Sequence, residues 1–396
     1  MTHIESGTRT YYYASIALFM AGFVTFATIY ATQPMLPIFS SEFGVPAQTA
    51  SLTVSVTTGM LALILLVAAP MADRFGRKNI MVWSMFLTAF MGLLTAFSPT
   101  FSAMLILRTL LGITVAGVPA IAMTYIVEEF DPRGLGRIMG LYIAGSSIGG
   151  MSGRLMSGVL TDIWSWQTAL GVLGVLSLIL SICFAFFLPA SSNYVPKKSS
   201  VKEALAKYGE VLRSGRLVAM ISLGFILMGA FIALFNYFAY LLMEPPFNLS
   251  QTVIGAIYIV YLAGTFSSVY MGRKADRYGK PAIILVGVGL MAVGALVTLI
   301  PYVAVKIIGI IVFTFGFFGA HSTASAWVSQ RSGEQRSQAS ALYLFAYYAG
   351  SSIAGAIGGF FWTSFAWIGV VIFILVLLAL ALPVVHIANR TSEVKE

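Results

Sequence analysis

Twelve predominantly apolar runs dominate this chain, each long enough to cross a hydrocarbon core of about 30 Å, which takes roughly 20 helical residues. They fall near 13–38, 50–72, 79–98, 101–126, 137–160, 166–188, 216–243, 252–272, 281–300, 303–327, 338–361 and 364–387. In lipid a free loop or sheet edge leaves backbone groups unpaired, so the spans are expected to be helices. Neighbouring runs separated only around Pro99 and Pro301 must form antiparallel hairpins. With 59% apolar and 9% charged residues among 396, the chain has more apolar surface than a water-soluble core can hide. The expected fold class is all-α, a polytopic membrane protein of twelve transmembrane helices.

The formal charge of +9 raises the question of nucleic acid, and the positions of the charges answer it. Arg9, Arg74, Arg77, Lys78, Arg133 and Arg137 fall on alternate connecting segments. So do Lys197, Lys198, Lys202, Lys207, Arg213, Arg216, Arg273, Lys274, Arg277, Lys280, Arg331, Arg336, Arg390 and Lys395. Arg108, Arg154 and Lys306 are the exceptions, within or at the ends of spans. This one-sided distribution puts both termini in the cytoplasm and excludes a nucleic-acid partner. The N-terminal segment shows no small-residue cleavage pattern and reads as a retained first helix. Cys183 is the single cysteine, which rules out a disulfide framework and a cysteine metal site. No phosphate-binding Gly-x-x-x-x-Gly-Lys-Ser/Thr loop is present, so the chain is not expected to hydrolyse ATP, and no cofactor or metal is expected.

The longest polar stretch divides six spans from six, giving an N-terminal bundle at 1–189, a linker at 190–215 and a C-terminal bundle at 216–396. The linker includes an amphipathic segment, Val201–Leu212. The halves repeat one another. Asp73-Arg74-Phe75-Gly76 recurs as Asp276-Arg277-Tyr278-Gly279, and Ala144-Gly145-Ser146-Ser147-Ile148 recurs as Ala349-Gly350-Ser351-Ser352-Ile353. Two matches at nearly one offset point to two pseudo-symmetric six-helix bundles.

Twelve spans with a Gly-x-x-x-Asp-Arg-x-Gly-Arg/Lys loop after the second helix of each half resemble the major facilitator superfamily. The loop is complete from Gly272; in the first half Ala69 replaces the leading Gly. Pro34-Met35-Leu36-Pro37, Arg108-x-x-x-Gly112 and Gly145-x-x-x-Gly149-Gly150 resemble the drug:proton antiporter branch, although Ser146 stands where that motif has Pro. Leu234-Phe235-Asn236-Tyr237, Ala320-His321-Ser322 and Leu342-Tyr343-Leu344-Phe345 are similar to the YnfM-like bacterial inner-membrane transporters. The resemblance implies alternating access in a bacterial inner membrane, by a monomer that carries a small molecule.

A conformational gate is expected at the loops: Asp73, Arg74, Gly76 and Arg77 with Glu128 or Glu129, and Gly272, Asp276, Arg277 and Gly279 in the second copy. Asp73 is expected at a helix N-terminus, where the helix dipole favours a carboxylate. Glycine stripes at Gly145, Gly149 and Gly150, mirrored by Gly350 and Gly355, permit close helix approach; the resemblance places them between the halves.

A charge inside a span costs at least about 2.5–3.5 kcal/mol on insertion scales, so Arg108 and Arg154 are functional candidates, with Asp162 a possible counter-ion. All fourteen Asp and Glu lie at or outside helix ends. Two arginines without a buried acid favour anionic or carbonyl oxygens in the substrate. The resemblance implies a central cavity lined by Tyr30 and Gln33, by Phe235, Asn236 and Tyr240, and by His321 and Ser325. His321 and Arg108 are proton-coupling candidates, His321 because its ordinary pKa lies near neutrality. The expected function is proton-coupled export of a small amphiphilic or anionic compound; a proton-coupled importer of a sugar or organic acid is the alternative.

Overall fold

The computed structural model describes residues 3–194 and 201–389, with all side chains among them except those of Ala69 and residues 201–204. Lys197, Lys198, Arg390 and Lys395, used above for orientation, lie outside the described residues.

Two of the spans break where a proline removes a backbone donor, although the helices that hold Pro70 and Pro383 run on through them. The first is α1 (Arg9–Tyr30), a 3-10 turn at Gln33–Met35, then α2 (Leu36–Phe43), because Pro34 has no N–H to offer the Tyr30 carbonyl. The fourth, expected as one helix, is α5 (Phe101–Val115) and α6 (Gly117–Glu129), with Pro119 unable to bond the Val115 carbonyl. Between them run α3 (Ala47–Phe75) and α4 (Arg77–Thr95), and after them α7 (Leu135–Ile163), α8 (Trp166–Phe187) and the linker helix α9 (Val201–Leu212). The second half holds α10 (Gly215–Met243), α11 (Gln251–Ile257), α12 (Tyr261–Tyr278), α13 (Lys280–Val297), α14 (Val303–Arg331) and α15 (Arg336–Asn389).

Ten helical stretches among the described residues are long and apolar enough to cross a membrane. One of them, Gly333–Asn389, is 57 residues long and is broken at Ala366 (φ 52°), so at about 1.5 Å per residue it makes two crossings. Helix α7 is more polar yet has 29 residues, enough to cross as well. The twelve expected spans are thus present in an all-α fold.

The chain divides into two compact units. The first comprises 1–45, 50–204 and 242–259; the second comprises 46–49, 205–241 and 260–396. The first unit includes α11, from the second half of the sequence. Its packing depends on absent side chains: a Cβ on Gly145 would strike the backbone of Phe19, one on Gly149 that of Phe23 and one on Gly153 that of Ala27. The expectation that this stripe lies between the halves is corrected here, since it seats α7 against α1 of the same half. Gly350 likewise abuts Phe225 of α10, while the carbonyls of Gly150 and Gly355 accept bonds from Arg154 and Tyr237. Gly158 of α7 meets α11 at Gln251 and Gly255, with the carbonyls of Arg154 and Leu155 also against Gly255. In the second unit, Phe231 of α10 stacks on Phe317 of α14 at 3.9 Å between centroids and lies 4.7 Å from Phe235.

Candidate functional site

The paired loops differ in construction. Gly76 (φ 91°) and Gly279 (φ 86°) both hold a backbone conformation open to glycine, and each turns one helix directly into the next. In the first copy Arg77 donates from Nε and Nη2 to Glu128 at 3.0 and 2.9 Å, and its Nη1 meets Asp73 at 2.7 Å. Of the two expected acids, Glu128 is the partner; the buried carboxylate of Glu129 instead accepts from the backbone of Ser192 and Asn193. Asp73 is not at a helix N-terminus: α3 continues to Phe75, so Asp73 lies in a last turn that disfavours its charge, and Arg77 compensates. In the second copy Asp276 is exposed and 3.9 Å from Lys280, and Arg277 lies over the Tyr278 ring. Arg74 is exposed, over Phe75. A Cβ on Gly272 would meet nothing within 4 Å, so no close packing requires a glycine there.

Arg108 has a structural occupation. Because α1 ends at Tyr30, its last carbonyls lack helical partners. Arg108 donates from Nη1 to Thr28 O at 2.8 Å, from Nη2 to Ile29 O, and from Nε to Thr53 O of α3 at 2.8 Å. All three nitrogens are engaged on backbone carbonyls, so a part in binding substrate or carrying protons is not where the geometry points. A guanidinium also does not release its proton in proteins. Lys306 does similar work, donating to the Thr298 carbonyl past the end of α13 at 2.6 Å.

Arg154 is held differently. Its Nε donates to the Gln33 side-chain oxygen at 2.7 Å and its Nη1 to Gly150 O at 2.7 Å. The guanidinium lies 4.2 Å from the centre of the Tyr30 ring and 4.8 Å from that of Tyr258. The structure thus brings together Arg154, Tyr30 and Gln33 and adds Tyr258, which the sequence did not single out because the break between α11 and α12 left no proline or glycine signal. Arg108 builds this site indirectly, since it caps the turn of α1 that carries Tyr30 and leads to Gln33.

Asp162 is not the counter-ion of Arg154. Its carboxylate accepts from Thr252 Oγ1 at 2.6 Å and Thr252 N at 3.3 Å, at the start of α11. These bonds, with lesser ones from Ser250 and the Gln251 backbone, hold the carboxyl below the usual carboxylate range against a smaller effect of burial.

In the second unit, His321 Nδ1 is 2.9 Å from the Tyr343 hydroxyl, and its ring lies parallel to Phe317 and 4.6 Å from Tyr347. Asn236 and Phe235 are buried on α10, with Phe235 edge-on to Tyr261; Tyr240 faces Tyr237 and Trp362. Ser325, one turn beyond His321 on α14, is half-buried. Tyr343 was quoted in the sequence only as part of a family pattern; its separation from His321 hid the pairing.

The chain matches the family model of the Major Facilitator Superfamily over residues 18–354 and again over 226–395. It is 46% identical over 383 residues to the uncharacterized MFS-type transporter YybF of Bacillus subtilis, covering 96% of this chain and 95% of that one. It is 42% identical over 381 residues to the inner membrane transport protein YnfM of Escherichia coli, covering 96% and 91%. A solved bacterial homologue of the human lysosomal transporter Spinster, inward-facing and unoccupied, shares the fold with a TM-score of 0.77, 15% identity and 97% of both chains covered. With its helical spans, repeated loops and these full-length relatives, the chain belongs to the Major Facilitator Superfamily of membrane transporters.

Proposed function

We propose that this transporter exports a small amphiphilic or anionic compound by proton-coupled alternating access, with its termini in the cytoplasm of a bacterial inner membrane. It works as a monomer of two bundles, 1–189 and 216–396, joined by the linker. The observation that carries the reading is the setting of Arg154. Of the three cations within the spans, Arg108 and Lys306 cap helix ends, whereas Arg154 is held by a neutral amide, a carbonyl and two tyrosine faces. Glu129 is the one buried carboxylate among the described residues, and it lies at the end of α6. An interior with buried cations and no buried acid along its spans favours an anionic cargo, for which a guanidinium offers planar paired donors. Tyr30 and Tyr258 give the apolar part of an amphiphile an aromatic face.

His321 is the proton site in this reading. Its Nδ1 is oriented by Tyr343, and Nε2 has no hydrogen-bond partner among the described residues. The Arg77 latch with Asp73 and Glu128 steadies the cytoplasmic side, and Phe235, Asn236, Tyr240 and Ser325 line the second bundle's part of the path. Inside-out vesicles with an acidic lumen test the direction: accumulation that a protonophore abolishes supports export. Accumulation only in right-side-out vesicles supports the importer instead.

A further inference from the structure

The turn from Glu128 to Asp131 gathers pieces of chain that lie far apart in sequence. The Ile4 N–H donates to the Glu129 carbonyl at 2.8 Å and the Ile4 carbonyl accepts from Asp131 N at 3.3 Å, forming a parallel bridge between Ile4 and Phe130. From the other side come the first residues of the linker. Ser192 N and Asn193 N each donate to the Glu129 carboxylate at 3.0 Å, and Asn193 Nδ2 donates to the Glu128 carbonyl at 3.1 Å. The next residue closes the arrangement: Tyr194 donates its hydroxyl to the Asp73 carbonyl at 2.6 Å, and its ring centre lies 5.9 Å from the Arg77 guanidinium.

Glu129 is 1% exposed, and a carboxylate at that depth is tolerable only while its oxygens are bonded. The Ser192 and Asn193 amides supply charge-assisted bonds, which are stronger than neutral ones. Cavities of about 500 and 290 Å³ flank the Ile4 segment, the first lined by Ile4, Tyr11 and Arg137, the second by Ile4, Glu129 and Ser192. The smaller cavity leaves open space beside Glu129 and Ser192 into which the linker residues can move.

We propose that Glu129 is a positioning residue that docks the linker onto the Arg77 latch, so that undocking of 191–194 and opening of the latch are one event. Glu128 bonds the cation directly; Glu129 acts through Tyr194, which it sets over Arg77 and against Asp73. The linker is then a working part of the gate and not a passive tether. The inference rests on the latch reading given above, yet the docking itself is measurable without knowing the cargo or the direction of transport.

Hydrogen–deuterium exchange on the full chain in lipid nanodiscs tests it, combined with thiol labelling of Asn79→Cys, beside the latch, in a Cys183→Ser background. Glu129→Gln is expected to raise exchange of amides 191–194 about tenfold, as befits loss of a charged acceptor, and to raise labelling at position 79. Glu128→Gln, which leaves the clamp's own acceptor intact, is expected to raise exchange at 191–194 too. Tyr194→Phe, a milder change should Glu129→Gln fold poorly, is expected to raise labelling at position 79 and exchange at Ser192 and Asn193 together. Unchanged exchange in Glu129→Gln overturns the clamp. Faster exchange with labelling unaltered, or Glu128→Gln without effect at 191–194, overturns the coupling while leaving the latch reading to stand or fall by labelling in Glu128→Gln.

Discussion

Arg77 grips Glu128 through two parallel hydrogen bonds of 3.0 and 2.9 Å, tying the start of α4 to the last turn of α6, while its remaining nitrogen reaches Asp73. The Arg77 side chain is 10% exposed and that of Glu128 is 29% exposed, so water screens the pair only partly. Arg77→Lys preserves the charge but cannot make the fork. It is expected to lose about 1–2 kcal/mol of coupling to Glu128 in a double-mutant cycle read by denaturant titration. Coupling equal to that of Arg77 would show that charge alone suffices.

Arg108→Gln should damage folding and not cargo choice. The substitution orphans the buried carbonyls of Thr28 and Ile29 at the end of α1, and each orphaned acceptor costs about 1–3 kcal/mol. The expected result is a lower melting temperature and reduced yield of folded protein in detergent. A fully stable Arg108→Gln protein that fails to transport would contradict the capping role.

Two glycines with similar sequence credentials should behave oppositely. Gly149→Ala pushes a methyl group into the backbone of Phe23 and is expected to destabilise by about 1–3 kcal/mol, as overpacking does. Gly272→Ala has open space and should be silent in the same thermal-shift assay. Equal effects would remove the distinction between the stripe and the loop.

The Asp162 contact with α11 carries a defined pH dependence. A carboxyl whose folded pKa is depressed contributes stability above its unfolded value and loses it as pH falls through the folded one. Because hydrogen bonds from Thr252 lead the depression, protection of the Thr252 amide should persist from neutral pH into the ordinary carboxylate range of about 4 and disappear only below it. Loss of protection near neutrality would show instead that Asp162 titrates there.

The architecture was legible because lipid leaves a chain few options: apolar length gave the helices and the repeated Asp-Arg-aromatic-Gly gave the halves. Arg154, Tyr30 and Gln33 were legible as individuals, since a charge or a polar group in a span needs a reason. Their meeting was not, because it depends on Pro34 breaking α1 and on Arg108 capping the break. Arg108 shows the limit: burial of a cation signals work of some kind, and composition cannot separate binding a solute from satisfying carbonyls, which Arg108 does at the end of α1. The glycine stripe told of close approach without naming the neighbour, since a glycine admits any backbone, here that of Phe19, Phe23 and Ala27. Asp73 was misplaced by the few residues through which α3 outlasts its apolar run.

Whether Arg154 reads an anionic cargo is decided by untargeted metabolite comparison of the medium. Cells lacking the chain would be compared with cells producing either it or Arg154→Gln at equal membrane levels. The intact chain is expected to enrich one or more small anionic, amphiphilic compounds outside the cell, and Arg154→Gln is expected to abolish the enrichment. Export of a neutral or cationic compound, or enrichment that survives Arg154→Gln, would contradict this expectation.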